Sequence, residues 1–204
     1  MCRGAERTVG RMGNVGFARR AITEDELEQL LRWVRREAPA REAFYLLGAD
    51  CGLRRSEVIG VRLPDLQGDR LFVRRGKGGF TRWVPLTGRT IRACLGCCEL
   101  RQSDAPAAWN YTYVGVFVRN DFYRSGVGVD LVFHSLRHRF AMKLVNSGMA
   151  IHEVQALLGH SDISTTAIYL HATEGRFDRA REMIEGGEPG GPAPDKGPTL
   201  RLVG

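Results

Sequence analysis

Four short segments of this 204-residue chain gather side chains suited to phosphate chemistry. Cys51-Gly52-Leu53-Arg54-Arg55-Ser56-Glu57 stands at a helix boundary, and Gly76-Lys77-Gly78-Gly79 forms a turn between two strand-like runs. His134-Ser135-Leu136-Arg137-His138 opens a helical stretch. Leu158-Gly159-His160 is followed, nine residues on, by Tyr169. Cutting a phosphodiester with a protein nucleophile needs such a set. The diester's charge repels nucleophiles, and more charge spreads over its non-bridging oxygens in the transition state. Metal ions or fixed cations must neutralise it. A nucleophile must attack in line, and the departing sugar oxygen needs a proton.

Taken singly, each residue has a plainer account. Arg54 or Arg137 alone reads as a surface or salt-bridged arginine, and Lys77 as an exposed turn residue. His134 and His160 alone read as capping or hydrogen-bonded histidines, and Tyr169 as half-buried helix packing. His138, His152 and His171 keep such structural readings, and Arg55 reads as solvated.

The elements that must position these groups follow from periodicity and punctuation. Thr23 and Glu26 have capping-box spacing ahead of Leu27, Leu30, Leu31 and Val34, which share one helical face. Pro39 closes that helix. A second begins near Arg41 and breaks at Cys51-Gly52, and a short one ends before Pro64. The period then switches to two. Residues 70–74 and 81–86 read as strands joined by the glycine-rich turn that carries Lys77. Helical patterns return at 87–100 and 114–123, with a loop at 103–110 between them. Residues 135–170 read as three short helices, punctuated by Gly148 and by residues 159–163. A last helical face, Phe177, Ala180 and Ile184, serves either its own domain or a neighbouring copy. The expected fold is mostly α (α+β), a helical domain carrying a small antiparallel β-sheet. Residues 1–20 read as a flexible basic leader, 21–185 as the domain, and 186–204 as a disordered Gly/Pro-rich tail.

Composition narrows the class. Hydrophobic residues make up 43% and charged residues 26%, enough for one ordinary core. Thirty basic against 23 acidic residues give a net charge of +7 and a pI near 9.5, which favours a polyanionic partner. The five cysteines are an odd count, three of them within residues 94–98, and imply reduced thiols rather than a disulfide framework. Cys94 and Cys97 lack the second ligand pair of a structural zinc site. No apolar run suits a membrane span or a signal peptide, so a cytoplasmic location is expected.

The five elements together, G-L-R-x-S-E, G-K-G, H-x-L-R-H, L-G-H and the following tyrosine, resemble tyrosine site-specific recombinases of the phage-integrase family. The resemblance runs from about Thr23 to Met183. It implies that Arg54 and Arg137 hold the non-bridging oxygens and that His160 is a third phosphate ligand. His134 would bond the phosphate and the nucleophile's surroundings. Lys77 would protonate the departing 5′ oxygen. Tyr169 would attack, giving a 3′-phosphotyrosyl bond that another strand's 5′ hydroxyl reverses, with no cofactor or metal. Glu57, one turn after Arg54, is placed to orient a catalytic side chain. Double-stranded DNA is the implied partner, and a homo-tetramer on DNA the implied assembly.

The sequence departs from the family where the region 100–134 lacks a clear Leu-Phe strand and where Arg139 replaces a small hydroxyl residue. With few residues before Thr23, the chain resembles short single-domain members or a truncated relative. Type IB topoisomerases share the covalent chemistry, but the L-G-H-to-tyrosine spacing favours a recombinase. A non-catalytic regulator with a helix-turn-helix at 149–170 would not need Lys77 or the whole cationic set. A metal-dependent transposase would need acidic ligands that do not accompany these motifs.

Overall fold

A computed structural model describes residues 20–74, 81–159 and 174–185. Eight α-helices, two short 3-10 helices and a three-stranded sheet occur among them. Helix α1, Glu24–Glu37, begins at the expected cap: Glu26 N donates to Thr23 Oγ1 at 3.2 Å, and Thr23 N donates back to the Glu26 carboxylate at 2.9 Å. Acidic residues fill its first turn and Arg35 and Arg36 its last, as the helix dipole favours. The four apolar positions, Leu27, Leu30, Leu31 and Val34, are fully buried.

Helix α2, Glu42–Asp50, is the centre of the molecule, with every residue from Ala43 to Asp50 buried. It packs between α6, Phe133–Asn146, and α4, Gly88–Arg101. Phe44 meets Tyr45, Phe117 and Phe133 at ring-centroid distances of 4.6–5.5 Å, a tilted and edge-on aromatic cluster inside the main core. Helix α5, Tyr111–Ser125, supplies Phe117. It starts earlier than its apolar period suggests because Asn110 Oδ1 caps the amides of Thr112 and Tyr113. Likewise α6 begins two residues before Ser135, whose hydroxyl reaches back to accept from Val132 N.

The short helix α3, Arg55–Ile59, follows Arg54. Strands β1, Leu66–Gln67, β2, Arg70–Val73, and β3, Arg82–Pro85, form an antiparallel sheet in that order. The expected hairpin is β2 with β3, in register Leu71 to Val84 and Val73 to Arg82. Two-residue β1 has no periodic signal of its own. The expected turn with Lys77, the last of the three short helices expected within 135–170, and residues 1–19 and 186–204 lie outside the described residues.

Helix α7, Ile151–Leu158, and helix α8, Glu174–Glu185, complete the described chain. Ala180 and Ile184 of α8 are buried with Phe140, Leu144, Met149, Val154, Leu157 and Leu158 in a second apolar cluster. Arg181 pairs with Asp69 at 2.8 Å, and Lys143 Nζ donates to Ile184 O at 2.7 Å. Within this single chain the helix packs on its own domain.

Arg139, the departure from the family pattern, is also accounted for. It is buried, donates to Ala49 O at 2.9 Å and to both Glu24 oxygens at 2.7 and 2.6 Å, and lies 3.5 Å from Asp50. It thereby ties the start of α1 to the end of α2. Cys51, Cys94, Cys97 and Cys98 are buried free thiols. No helix among the described residues is long and apolar enough to cross a membrane.

Candidate functional site

Arg54, Arg137 and Glu57 come together where α3, α6 and the end of α7 meet. Each is placed by a local device. Arg54 precedes α3 in extended backbone, and its amide donates to Glu57 Oε2 at 2.7 Å, so the carboxylate caps the helix that follows. The same carboxylate accepts from Arg54 Nη1 at 3.1 Å. Arg137, on the first turns of α6, is almost wholly buried. Its Nη1 donates to Gly52 O and its Nη2 to Leu158 O, both at 2.7 Å, while Nη1 stays 3.9 Å from Glu57.

A third guanidinium, not among the residues expected from sequence, completes the cluster. Arg82 on β3 donates from both Nη atoms to the two Glu57 oxygens at 2.9 Å each, and from Nε to Leu157 O at 2.8 Å. A signal for it was available in strand alternation, which puts Arg82 on the same face as buried Val84. An arginine on a strand is ordinarily read as solvent-facing, and that reading fails here.

The last carbonyls of α7 thus each meet a different arginine: Leu157 takes Arg82, Leu158 takes Arg137, and Gly159 takes Arg54 at 3.4 Å. Carbonyls at a helix C-terminus lack intrahelical donors and carry the negative end of the dipole, so cations belong there. Gly159 turns the chain out of α7 at φ +67°, and a Cβ there would stand 3.0 Å from Arg82 Nη1.

Charge does not balance in this cluster. Among the described residues, three guanidinium groups face a single buried carboxylate. Burial, reinforced by the positive charges of Arg54 and Arg82, pushes Arg137 down to about 10, with Glu57 opposing; it is still a cation at neutral pH. Burial alone would raise Glu57. The hydrogen bonds and charge of Arg82, then the amide and charge of Arg54, outweigh that and hold its carboxyl below the usual carboxylate range. Such an excess of fixed, desolvated positive charge suits an anion that brings its own oxygen acceptors.

His134 sits on the first turn of α6, three residues before Arg137, with its side chain exposed. Arg55, read as solvated, instead lies half-buried with its guanidinium 4.0 Å from the centre of the Tyr111 ring. His138 and His152 are exposed. Lys77, His160, Tyr169 and His171 lie outside the described residues.

Residues 20–104 and 114–176 match the phage integrase family. The chain is 34% identical over 174 residues to the tyrosine recombinase XerC of Erythrobacter litoralis, covering 78% of this chain and 57% of the relative. It is 36% identical over 152 residues to the tyrosine recombinase XerD of Rhizobium meliloti, covering 68% and 48%. Among solved structures, the integrase from mycobacterium phage Brujita superposes with a TM-score of 0.67 at 22% identity, over 96% of this chain and 64% of that one. This chain belongs to the phage integrase family, and its mostly helical fold with a small antiparallel sheet is that of integrase catalytic domains. It spans about half the length of the curated relatives it matches.

Proposed function

We propose that this chain is the catalytic domain of a site-specific DNA recombinase that cleaves and rejoins strands through a 3′-phosphotyrosyl intermediate. The observation that carries the reading is the cluster of Arg54, Arg137 and Arg82 around Glu57, more cationic than anionic among the described residues and joined to the last carbonyls of α7. In this reading Arg54 and Arg137 hold the non-bridging oxygens of the scissile phosphate, and His160 adds a third donor. His134 bonds the phosphate and the surroundings of the nucleophile. Tyr169 attacks phosphorus as its phenolic proton passes to solvent, and the bond to the 5′ oxygen breaks as Lys77 delivers a proton to it, the lysine being reprotonated from solvent. Attack by a 5′ hydroxyl on the phosphotyrosine reverses the step and frees the tyrosine. The cations are all side chains, so no metal is required. The partner is double-stranded DNA, the working assembly is a tetramer that pairs two duplexes, and the place of action is the cytoplasm.

The test is covalent capture. Nicked suicide duplexes drawn from the DNA flanking the gene should give a denaturant-resistant adduct at Tyr169, in chelator as well as in magnesium. Tyr169→Phe should remove the adduct and leave DNA retention nearly unchanged. An adduct formed by the Phe variant would reassign the nucleophile, and loss of cleavage in chelator, restored by magnesium, would overturn the metal-free mechanism.

A further inference from the structure

Glu57 has three arginines to choose from, and its choice decides how much positive charge the site keeps. Both of its oxygens are taken by Arg82, in two bonds of 2.9 Å. Arg54 donates from its amide at 2.7 Å but from its side chain only once, at 3.1 Å, and Arg137 stays at 3.9 Å, beyond hydrogen-bonding length. The planar fork of a guanidinium matches both carboxylate oxygens at once, which a single-point donor cannot do. The Arg82 and Glu57 side chains are 10% and 1% exposed, so water offers neither of them much alternative partnership.

We infer that Arg82 is a positioning residue that occupies the Glu57 carboxylate and so keeps it from neutralising Arg54 and Arg137, whose remaining N–H donors can then hold a phosphate. The inference rests on the recombinase reading of the site. With Arg82 gone, Glu57 would be a buried carboxylate facing two cations, and a small rotation would bring it onto Arg137. The groups meant for the anion would then be neutralised from within the protein. Arg82 also pins the end of α7 through Leu157 O and lies against Gly159, so a second, purely structural role must be separated from the first.

A double-mutant cycle separates them. The readouts are the rate of adduct formation on the nicked duplex and the thermal shift produced by inorganic phosphate, with folding checked by circular dichroism. Arg82→Met should lower the adduct rate at least 30-fold and weaken phosphate binding about tenfold. Adding Glu57→Gln removes the carboxylate's charge and should bring both to within about fivefold of the Glu57→Gln single variant, so that Arg82→Met costs little once the carboxylate is gone. If Arg82 only braces α7, Arg82→Met costs as much in the Glu57→Gln background as in wild type, and the inference falls. It falls equally if Arg82→Met behaves like wild type. Should Arg82→Met fail to fold, Arg82→Lys carries the same cycle: lysine keeps the charge but not the two-point grip. It should cost activity in the wild-type background and little in the Glu57→Gln background, and an equal cost in both counts against the inference. A wild-type protein that forms no adduct would overturn the recombinase reading instead, a result the phosphate-binding arm keeps separate from the role of Arg82.

Discussion

Arg137 donates to the backbone carbonyl of Gly52, 2.7 Å away and two residues before Arg54, so the two arginines of the site are joined through the main chain. A shift of either segment is therefore felt by the other. Gly52 makes this approach possible in two ways. Its φ is +64°, in the left-handed region that disfavours a side chain, and a Cβ there would stand 2.5 Å from Cδ1 of Phe140, one turn after Arg137.

Gly52→Ala should therefore destabilise the fold and disorder the arginine pair together. Strain at positive φ and overpacking against Phe140 together should cost about 2 to 4 kcal/mol. Urea denaturation measures this. A loss below half a kcal/mol would show that the neighbourhood of Phe140 yields easily.

Glu57→Gln should cost about 3 kcal/mol at neutral pH, because it removes the carboxylate that Arg54 and Arg82 share in a buried cationic cluster. The cost should depend on pH. The folded-state carboxyl is held below its ordinary value, so the stability it contributes is complete above about pH 4.3, the unfolded value. It is lost as pH falls through the lower folded value. The wild-type and Gln curves, followed by urea denaturation from pH 7 to pH 3, should converge toward acid. A gap that widens in acid would contradict the assignment.

Lys77 can be separated from simple phosphate binding by changing the leaving group. A 5′-bridging phosphorothiolate departs as a thiolate and needs no proton. Lys77→Ala should be crippled on ordinary DNA and substantially rescued on this substrate. Equal impairment on both would make Lys77 a phosphate ligand.

Helix α8 should be a working part of the isolated domain. Ile184 is buried against the cluster containing Phe140 and Leu144, so Ile184→Ala should cost about 2 to 4 kcal/mol. In hydrogen exchange, the amides of residues 180–185 should be protected in dilute protein, independently of concentration. Protection that appears only as concentration rises would show instead that the helix docks onto a neighbouring copy.

The sequence by itself determined the local elements and the chemical vocabulary. Thr23 and Glu26 announced the start of α1, Pro39 its end, and the change of period at residues 70–86 the hairpin, because caps, prolines and side-chain alternation act over a few residues. Five motifs in order likewise singled out Arg54, Lys77, His134, Arg137, His160 and Tyr169, of which Arg54 and Arg137 meet around Glu57. Only the tertiary structure decided who neutralises whom. Arg82 stands 25 residues from Glu57 and 75 from Leu157, and no local rule links them. Arg139 reads as a misfit in its motif until Glu24, Ala49 and Asp50 are brought around it. The physical reason is one of range. Backbone preferences are set by neighbours in the chain, whereas the pairing of a buried charge is set by whichever segments the packed core carries alongside it.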